Sequence, residues 1–330
     1  MTTDLRRATA GPSVARRRSP VGAPGGRWPS GRGSGKIRPQ AMIRQRQLWG
    51  RLFVLPAVVL VALLIVLPSI QGLYYSFTDW NGRSANWVGL DNYINGIFLS
   101  PDFGRIAFNS LCVVISVPFG VALSVIVANL LANSTWGRAW FRGIYFLPIA
   151  LSWVVIGITF AYLLSGRGPI NALLSAVGLG LFSQDWLGGE TSALVSIILV
   201  FNWSYFGINV VLLFTGMTTA DQSVTEAARL DGAHGIKMFT NIVIPQVRRY
   251  IELALIMTMA AAITQIFALI YTMTSGGPGV ATTTLEYALY TRSFSLGHFS
   301  QGAAFGILLF LVSLVFAVMR LRAGVKADDD

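Results

Sequence analysis

The stretch SVTEAARLDGAHGIKMFTNIVIP, residues 223–245, separates two long apolar runs and decides how the chain is interpreted. Ser223 and Glu226 have the spacing of a capping box, in which the serine hydroxyl accepts a hydrogen bond from the Glu226 amide and the glutamate reaches back. This spacing predicts the start of a short helix. Gly232 suits the position just after the last turn of that helix, because a positive φ costs glycine little.

The bend that follows Glu226, residues 226–233, is both thin and charged, and we call it the elbow. A second helical piece, residues 236–244, is predicted to follow it and to end at Pro245. The elbow contains the small residues Ala227, Ala228, Gly232 and Ala233 and the charged residues Glu226, Arg229 and Asp231. A bend of this kind can enter a cleft in a partner protein and be held there by charge. The alternative is an ordinary amphipathic loop that lies on a membrane surface.

The composition around this stretch is that of a membrane protein. Of the 330 residues, 54% are hydrophobic and 12% are charged, whereas soluble domains have about 25% charged residues. Because a helix needs about 20 apolar residues to cross a bilayer, the apolar runs predict an all-α, polytopic membrane protein with six transmembrane helices. The predicted spans are Leu52–Ser76, Ala107–Ala132, Gly143–Leu164, Thr191–Met217, Ile251–Thr274 and Gly302–Met319.

The net charge of +11 comes from the N-terminal tail alone. Residues 1–51 hold 12 of the 25 basic residues and a single acidic residue, Asp4, so the rest of the chain is neutral overall. Residues 1–50 are rich in Gly, Pro, Ser and Arg, and they have too little apolar surface to offset the entropy of ordering. They are therefore predicted to be a disordered, basic, cytoplasmic tail, and no nucleic-acid partner is expected.

The distribution of basic residues predicts that both termini are cytoplasmic. In that orientation the cytoplasmic segments hold 21 of the 25 basic residues, as the positive-inside rule requires. The loop of residues 218–250 then also lies in the cytoplasm. The predicted organisation is a tail at 1–50, the first transmembrane helix and an external loop at 51–106, a transmembrane core at 107–320 that includes the 218–250 loop, and a cytoplasmic C-terminal tail at 321–330.

Several classes of function lack the residues that they need. One cysteine, Cys112, and two histidines leave almost no material for a metal site or for a membrane-embedded enzyme. An ion-coupled secondary transporter usually carries buried acidic or histidine residues, and Glu252, at the edge of the fifth predicted span, is the one such residue within the six spans. The chain also lacks the Gly-x-x-x-x-Gly-Lys-Ser/Thr phosphate loop, so it cannot hydrolyse ATP by that chemistry.

Two polar stripes predict a path for a solute. Asn202, Tyr205 and Asn209 share one face of the fourth predicted span, and Thr258 and Gln265, with Thr264 beside them, share one face of the fifth. Uncharged hydrogen-bonding groups next to aromatic rings suit a neutral sugar or polyol. The alternative is that these side chains bond one helix to another and never contact a solute.

The residues of the elbow carry a resemblance to a known family. The run from Glu226 to Ala233, followed by Phe239, Ile242 and the Ile244-Pro245 pair, resembles the "EAA" loop of ABC importer permeases. The resemblance extends over about residues 45–325, and it is closest to the carbohydrate branch, the maltose and glycerol-3-phosphate permeases. Further matching stretches are Asn133–Pro148, Asp185–Leu187, Trp203–Gly207 and Thr274–Gly279.

The resemblance implies a type I ABC importer permease fold in the bacterial inner membrane. It also implies that Glu226, Ala227, Ala228, Asp231, Gly232 and Ala233 form a coupling helix that docks on a cytoplasmic ATPase. The implied partners are a second permease subunit, two ATPase subunits that bind ATP and Mg²⁺, and an extracytoplasmic solute-binding protein. Sugar is the favoured solute, with a phosphorylated polyol or another solute as the alternative. Thr219-Ala220 and Arg249 stand where many relatives have prolines. The resemblance therefore does not predict the angles at which the chain enters and leaves the loop.

Overall fold

The computed structural model describes residues 39–133 and 150–328, together with residues 143 and 148. Most of the 133–148 stretch and the tail at 1–38 lie outside the described residues. The chain divides into two units, residues 1–59 and residues 60–330. The described residues are helices joined by turns and contain no strand beyond an isolated antiparallel bridge between Thr78 and Trp87.

Fourteen α-helices follow one another along the described part of the chain. In chain order they are α1 (Pro39–Val61), α2 (Leu67–Tyr75), α3 (Asp91–Tyr93), α4 (Phe103–Asn133), α5 (Trp153–Leu163), α6 (Pro169–Ala176), α7 (Glu190–Thr219), α8 (Gln222–Leu230), α9 (Gly235–Met238), α10 (Ile244–Gln246), α11 (Arg248–Thr264), α12 (Phe267–Met273), α13 (Leu285–Tyr290) and α14 (Phe299–Asp328). Short π-helical turns stand between them at Ala62–Val66, Ile94–Phe98, Phe239–Val243 and Thr291–Ser295, with a 3₁₀ turn at Gly180–Phe182.

Four described helices are long and apolar enough to cross a membrane. They are Gly50–Tyr75, Phe103–Asn133, Glu190–Thr219 and Phe299–Val318, which match the first, second, fourth and sixth predicted spans. The fifth predicted span is two helices, α11 and α12, which are bent by 53° across Gln265 and Ile266. If the bent pair counts as one, the described residues contain up to five spans, and the third of the six predicted spans lies partly outside the described residues.

The third predicted span, Gly143–Leu164, is not one continuous helix in the structure. Its described helix, α5, begins at Trp153 and has 11 residues, which is too short to cross a bilayer alone. The interruption has a local cause, because the extended Ser152 accepts a hydrogen bond from the Val155 amide and so starts a new helix. A prediction from hydropathy alone does not detect a helix cap inside an apolar run, so it gave one continuous span here.

The ends of the chain are more helical than the sequence predicted. Helix α1 begins at Pro39, so the last part of the predicted disordered tail at 1–50 is helical. Residues 40–48 contain strong helix formers and no glycine, and proline is well tolerated in a first helical turn. At the other end α14 continues through most of the predicted 321–330 tail and ends at Asp328.

The core of the second unit lies where α4 packs against α7. Val113, Val117 and Val121 lie one turn apart on α4 and are completely buried, as the inward stripe of a packed helix should be. Gly120 permits the close approach of the two helices, because a Cβ atom there would collide with the side chain of Asn202. This packing places the polar stripe of α7 next to α4 and α11.

Candidate coupling loop and solute path

The first helix of the 218–250 loop begins two residues earlier than the capping box predicted. The N-cap of α8 is Asp221, whose side chain accepts a hydrogen bond of 2.8 Å from the Ser223 amide. Hydrogen bonds from Ser223 also lower the pKa of Asp221. The predicted Ser223–Glu226 box is therefore wrong. An aspartate side chain is as good an N-cap as a serine side chain. Because α7 ends at Thr219, Asp221 is the first such residue in a position to cap the next helix.

The end of α8 has the conformation predicted for Gly232. Its amide donates to the Arg229 carbonyl at 3.1 Å, and the Ala233 amide donates to the Ala228 carbonyl at 2.9 Å. This is the Schellman arrangement, with Gly232 at φ +84°. A Cβ atom on Gly232 would have no neighbour within 4 Å, so the turn faces open space. The glycine therefore serves the backbone turn and leaves the outer surface of the elbow free.

The elbow presents an uncovered surface of mixed chemistry. Glu226 and Asp231 are exposed, while Ala228 is buried on the inner side of α8. Leu230 of the elbow and Ile236, three residues beyond it, are 89% and 80% exposed, which leaves two large apolar side chains in open space beside the charges. Exposed apolar groups with charged neighbours are typical of a surface that binds another protein. Such a surface is suited to contact with a protein partner, and a loop lying on a membrane surface would present the same apolar side chains.

The second helical piece does not end at Pro245. The π-helical turn Phe239–Val243 leads into α10, which runs through Pro245 to Gln246. Proline is accepted because it occupies the first turn of this short helix, where a missing amide is no loss.

A polar cleft of about 290 Å³ separates the loop from the adjacent end of α4. Glu226 and Arg229 line its outer side, and Asn129 and Asn133 of α4 line its inner side. The Nε2 atom of Gln246 is buried here and has no hydrogen-bond partner among the described residues. Polar side chains of the loop and of α4 therefore line opposite sides of the same cleft.

The predicted solute-path residues divide into an accessible pair and a buried pair. The hydroxyl of Tyr205 donates to Oε1 of Gln265 at 2.9 Å, and both Gln265 and Thr264 are exposed. In contrast, Asn209 and Thr258 are 4% and 1% exposed and hydrogen-bond to each other. Asn202, which is half-buried, donates to Oγ of Ser116 on α4. Three of these side chains thus bond one helix to another, while the Tyr205–Gln265 pair and Thr264 can meet a solute.

We expect Gln265→Leu to lower solute uptake more than it lowers assembly of the protein. Leucine has about the same volume as glutamine but lacks the groups that hydrogen-bond to Tyr205 and to a passing solute. The loss of one hydrogen bond worth about 1 kcal/mol corresponds to a ~5-fold lower uptake. Initial uptake rates, normalised to the amount of assembled protein, measure the effect. Thr258→Val is the matched control, because it should lower thermal stability rather than the normalised uptake. Unchanged uptake by Gln265→Leu would make Gln265 a structural residue.

Glu286 is a functional candidate that the sequence patterns missed. Its Oε2 atom accepts hydrogen bonds of 2.9 Å from the backbone amides of Ile266 and Phe267, at the bend between α11 and α12. Burial raises the pKa of Glu286 to about 7, although the two backbone hydrogen bonds oppose the shift. The residue lies outside all six predicted spans, so hydropathy assigned it to a loop. The available signal was a single carboxylate in the otherwise uncharged helix Leu285–Tyr290.

Comparisons with known proteins agree with this architecture. Residues 120–326 match the family described as the binding-protein-dependent transport system inner membrane component. The chain is 31% identical to the probable ABC transporter permease protein YurN of Bacillus subtilis, over 85% of this chain and 97% of that protein. It is 27% identical to the multiple sugar-binding transport system permease protein MsmF of Streptococcus mutans, over 85% of this chain and 96% of that protein.

The fold is also that of a solved importer. A bacterial ABC transporter involved in the import of the acidic polysaccharide alginate superposes with a TM-score of 0.75 at 21% identity, over 88% of this chain and 99% of that chain. The chain is a membrane-embedded, multi-pass transport permease rather than an enzyme. It belongs to the family of binding-protein-dependent transport system inner membrane components.

Proposed function

We propose that the chain is a permease subunit of an ATP-driven sugar importer and forms half of the translocation path. It lies in the bacterial inner membrane, with both termini and the 218–250 loop in the cytoplasm. The observation that carries the coupling assignment is the elbow, whose exposed charges and apolar side chains project from a short capped helix between two apolar spans. Glu226, Ala227, Ala228, Asp231, Gly232 and Ala233 are the residues assigned to it.

Each proposed partner of such a transporter performs a step that this chain does not perform. A second permease completes the path, two ATPase subunits hold ATP and Mg²⁺ and receive the elbow, and a solute-binding protein delivers the solute from outside. The family description supports the binding protein, because transport in this family depends on one. No residue of this chain is assigned to ATP.

A sugar is the solute that both the relatives and the site favour. MsmF, the relative at 27% identity, is named for multiple sugar-binding transport. In this chain Tyr205, Gln265 and Thr264 offer uncharged hydrogen-bonding groups on the accessible part of the path. Membership of this family also argues against an ion-coupled secondary transporter. This argument does not depend on the number of buried carboxylates in the helices.

Uptake into membrane vesicles tests the proposal directly. Vesicles that contain this chain with the second permease, ATPase and binding protein should accumulate neutral disaccharides when ATP is inside. Omission of the ATPase subunit should abolish accumulation, because this chain lacks a phosphate loop. Accumulation that persists without the ATPase and collapses when a protonophore is added would instead show an ion-coupled transporter.

A further inference from the structure

The carboxylate of Glu286 has one oxygen free for a ligand. Oε2 is occupied by the amides of Ile266 and Phe267, each at 2.9 Å. Oε1 accepts no hydrogen bond from the described residues, and it is not among their buried, unpaired atoms. The side chain is therefore fixed in place by one oxygen while the other can accept a hydrogen bond from a bound molecule.

No cation neutralises this carboxylate within the described residues. Arg105 of α4 pairs with Glu190 at 3.5 Å, and Arg292 of the neighbouring π-helical turn lies 3.9 Å from Asp102. The titratable group that senses the charge of Glu286 is the hydroxyl of Tyr205 on α7. Tyr271, Tyr287 and Tyr290 pack their rings around Phe267, whose backbone amide bonds the carboxylate. The local field is consequently negative whenever the carboxylate is ionised.

Aromatic rings form a surface beside the carboxylate. The ring of Phe267 lies 4.8 Å from that of Tyr290 and 5.6 Å from that of Tyr271, in tilted and stacked arrangements. Tyr271 is 47% exposed, so part of this surface is open. Aromatic faces pack against the apolar C–H faces of sugar rings, while nearby oxygen acceptors bond the hydroxyls. The Tyr205–Gln265 pair lies next to this surface, because Gln265 directly precedes the bend that Glu286 holds.

We propose that Glu286 is a specificity-determining residue of the solute path, where its free oxygen accepts hydrogen bonds from sugar hydroxyls and its charge excludes anionic solutes. The inference rests on the proposed function and makes it more specific. Hydroxyl donors gain a charge-assisted hydrogen bond from the carboxylate. A carboxylated or phosphorylated solute meets a like charge in a partly buried site where no described cation compensates. The substrate class is therefore an uncharged carbohydrate.

Uptake by vesicles that contain the complete transporter tests this role. The probes are the neutral disaccharides maltose and cellobiose and the anionic cellobiouronic acid, each radiolabelled. Glu286→Gln should reduce uptake of the neutral probe about tenfold at pH 8, because it removes a charge-assisted hydrogen bond. It should also raise the uptake of the anionic probe relative to the neutral one. Glu190→Gln is the matched control, since Glu190 is an exposed carboxylate outside the path.

The pH profile separates a solute contact from a purely structural role. With a pKa of about 7, Glu286 is mostly protonated at pH 6 and mostly ionised at pH 8, so parental uptake of the neutral probe should rise across this interval. The profile of Glu286→Gln should be flat there. Glu286→Asp keeps the charge and should keep the rise at a lower rate, which provides a test even if the glutamine variant assembles poorly.

The uptake measurements distinguish a failure of the role proposed for Glu286 from a failure of the proposed function. Absence of ATP-dependent uptake of either neutral probe by the parent would overturn the proposed function, and the inference with it. Parental uptake of cellobiouronic acid at the rate of cellobiose would overturn the inference alone. A parental rise with pH that persists unchanged in Glu286→Gln would do the same.

Discussion

Glu226→Lys is expected to abolish both solute uptake and solute-stimulated ATP hydrolysis while the chain still inserts and assembles. Glu226 is exposed on α8 and has no ion pair within the described residues, so its replacement removes no internal contact that is essential for folding. Surface substitutions of this kind usually change stability by about 0.5 kcal/mol or less. The variant nevertheless reverses a charge at the start of the elbow, where a docked partner would be forced to desolvate an unpaired lysine.

Two measurements on the purified complex check this expectation. Solute-stimulated ATPase activity should be lost, and the amount of ATPase subunit that copurifies with the permease should fall. Asp91→Lys is the control, because Asp91 is also an exposed carboxylate without an ion pair among the described residues and lies outside the loop, so coupling should stay intact. Stimulated ATPase activity at the parental level in Glu226→Lys would remove Glu226 from the coupling surface.

The apolar runs alone predicted most of the helical architecture correctly. Four of the predicted spans match described helices because each is a long run with no internal cap or break. The failures have a common physical cause, since the interruptions at Ser152 and at Gln265–Ile266 depend on hydrogen bonds that hydropathy does not register. At Ser152 the bond is local, and sequence inspection for caps can find it. At Ile266 the acceptor is Glu286, which is 20 residues away in the chain.

The candidate sites show the same division between local and distant information. The positive φ of Gly232 follows from its place after a short helix, so the sequence was sufficient to predict it. Side chains of the polar stripes on the fourth and fifth predicted spans do hydrogen-bond to each other, but helical periodicity cannot tell which neighbour a face meets. Asn209 meets Thr258 in the core, whereas Tyr205 meets Gln265 where both are accessible. Only the packing of α7 against α11 separates these two cases.

Gly232 has a structural counterpart that allows a strict test of the elbow. Gly178, which follows α6, has φ +81° against +84° for Gly232. Both glycines end their helices with the same pair of backbone hydrogen bonds, since Gly178 donates to Ser175 and Leu179 donates to Leu174. A Cβ atom at either position would have no neighbour within 4 Å. The two sites therefore share backbone strain and open surroundings, but only Gly232 lies in the elbow.

We expect Gly232→Asp to abolish uptake and Gly178→Asp to leave it near the parental rate. Aspartate at a positive φ costs about 1 kcal/mol at either site, so both variants should assemble with similar, slightly lowered thermal stability. If the elbow docks on the ATPase as proposed, the new carboxylate at Gly232 also fills the space between them and adds a negative charge beside Asp231. Initial uptake rates and melting temperatures of the two purified complexes measure these separate effects. Equal loss of uptake in both variants would assign the defect to backbone strain and would contradict docking through the elbow.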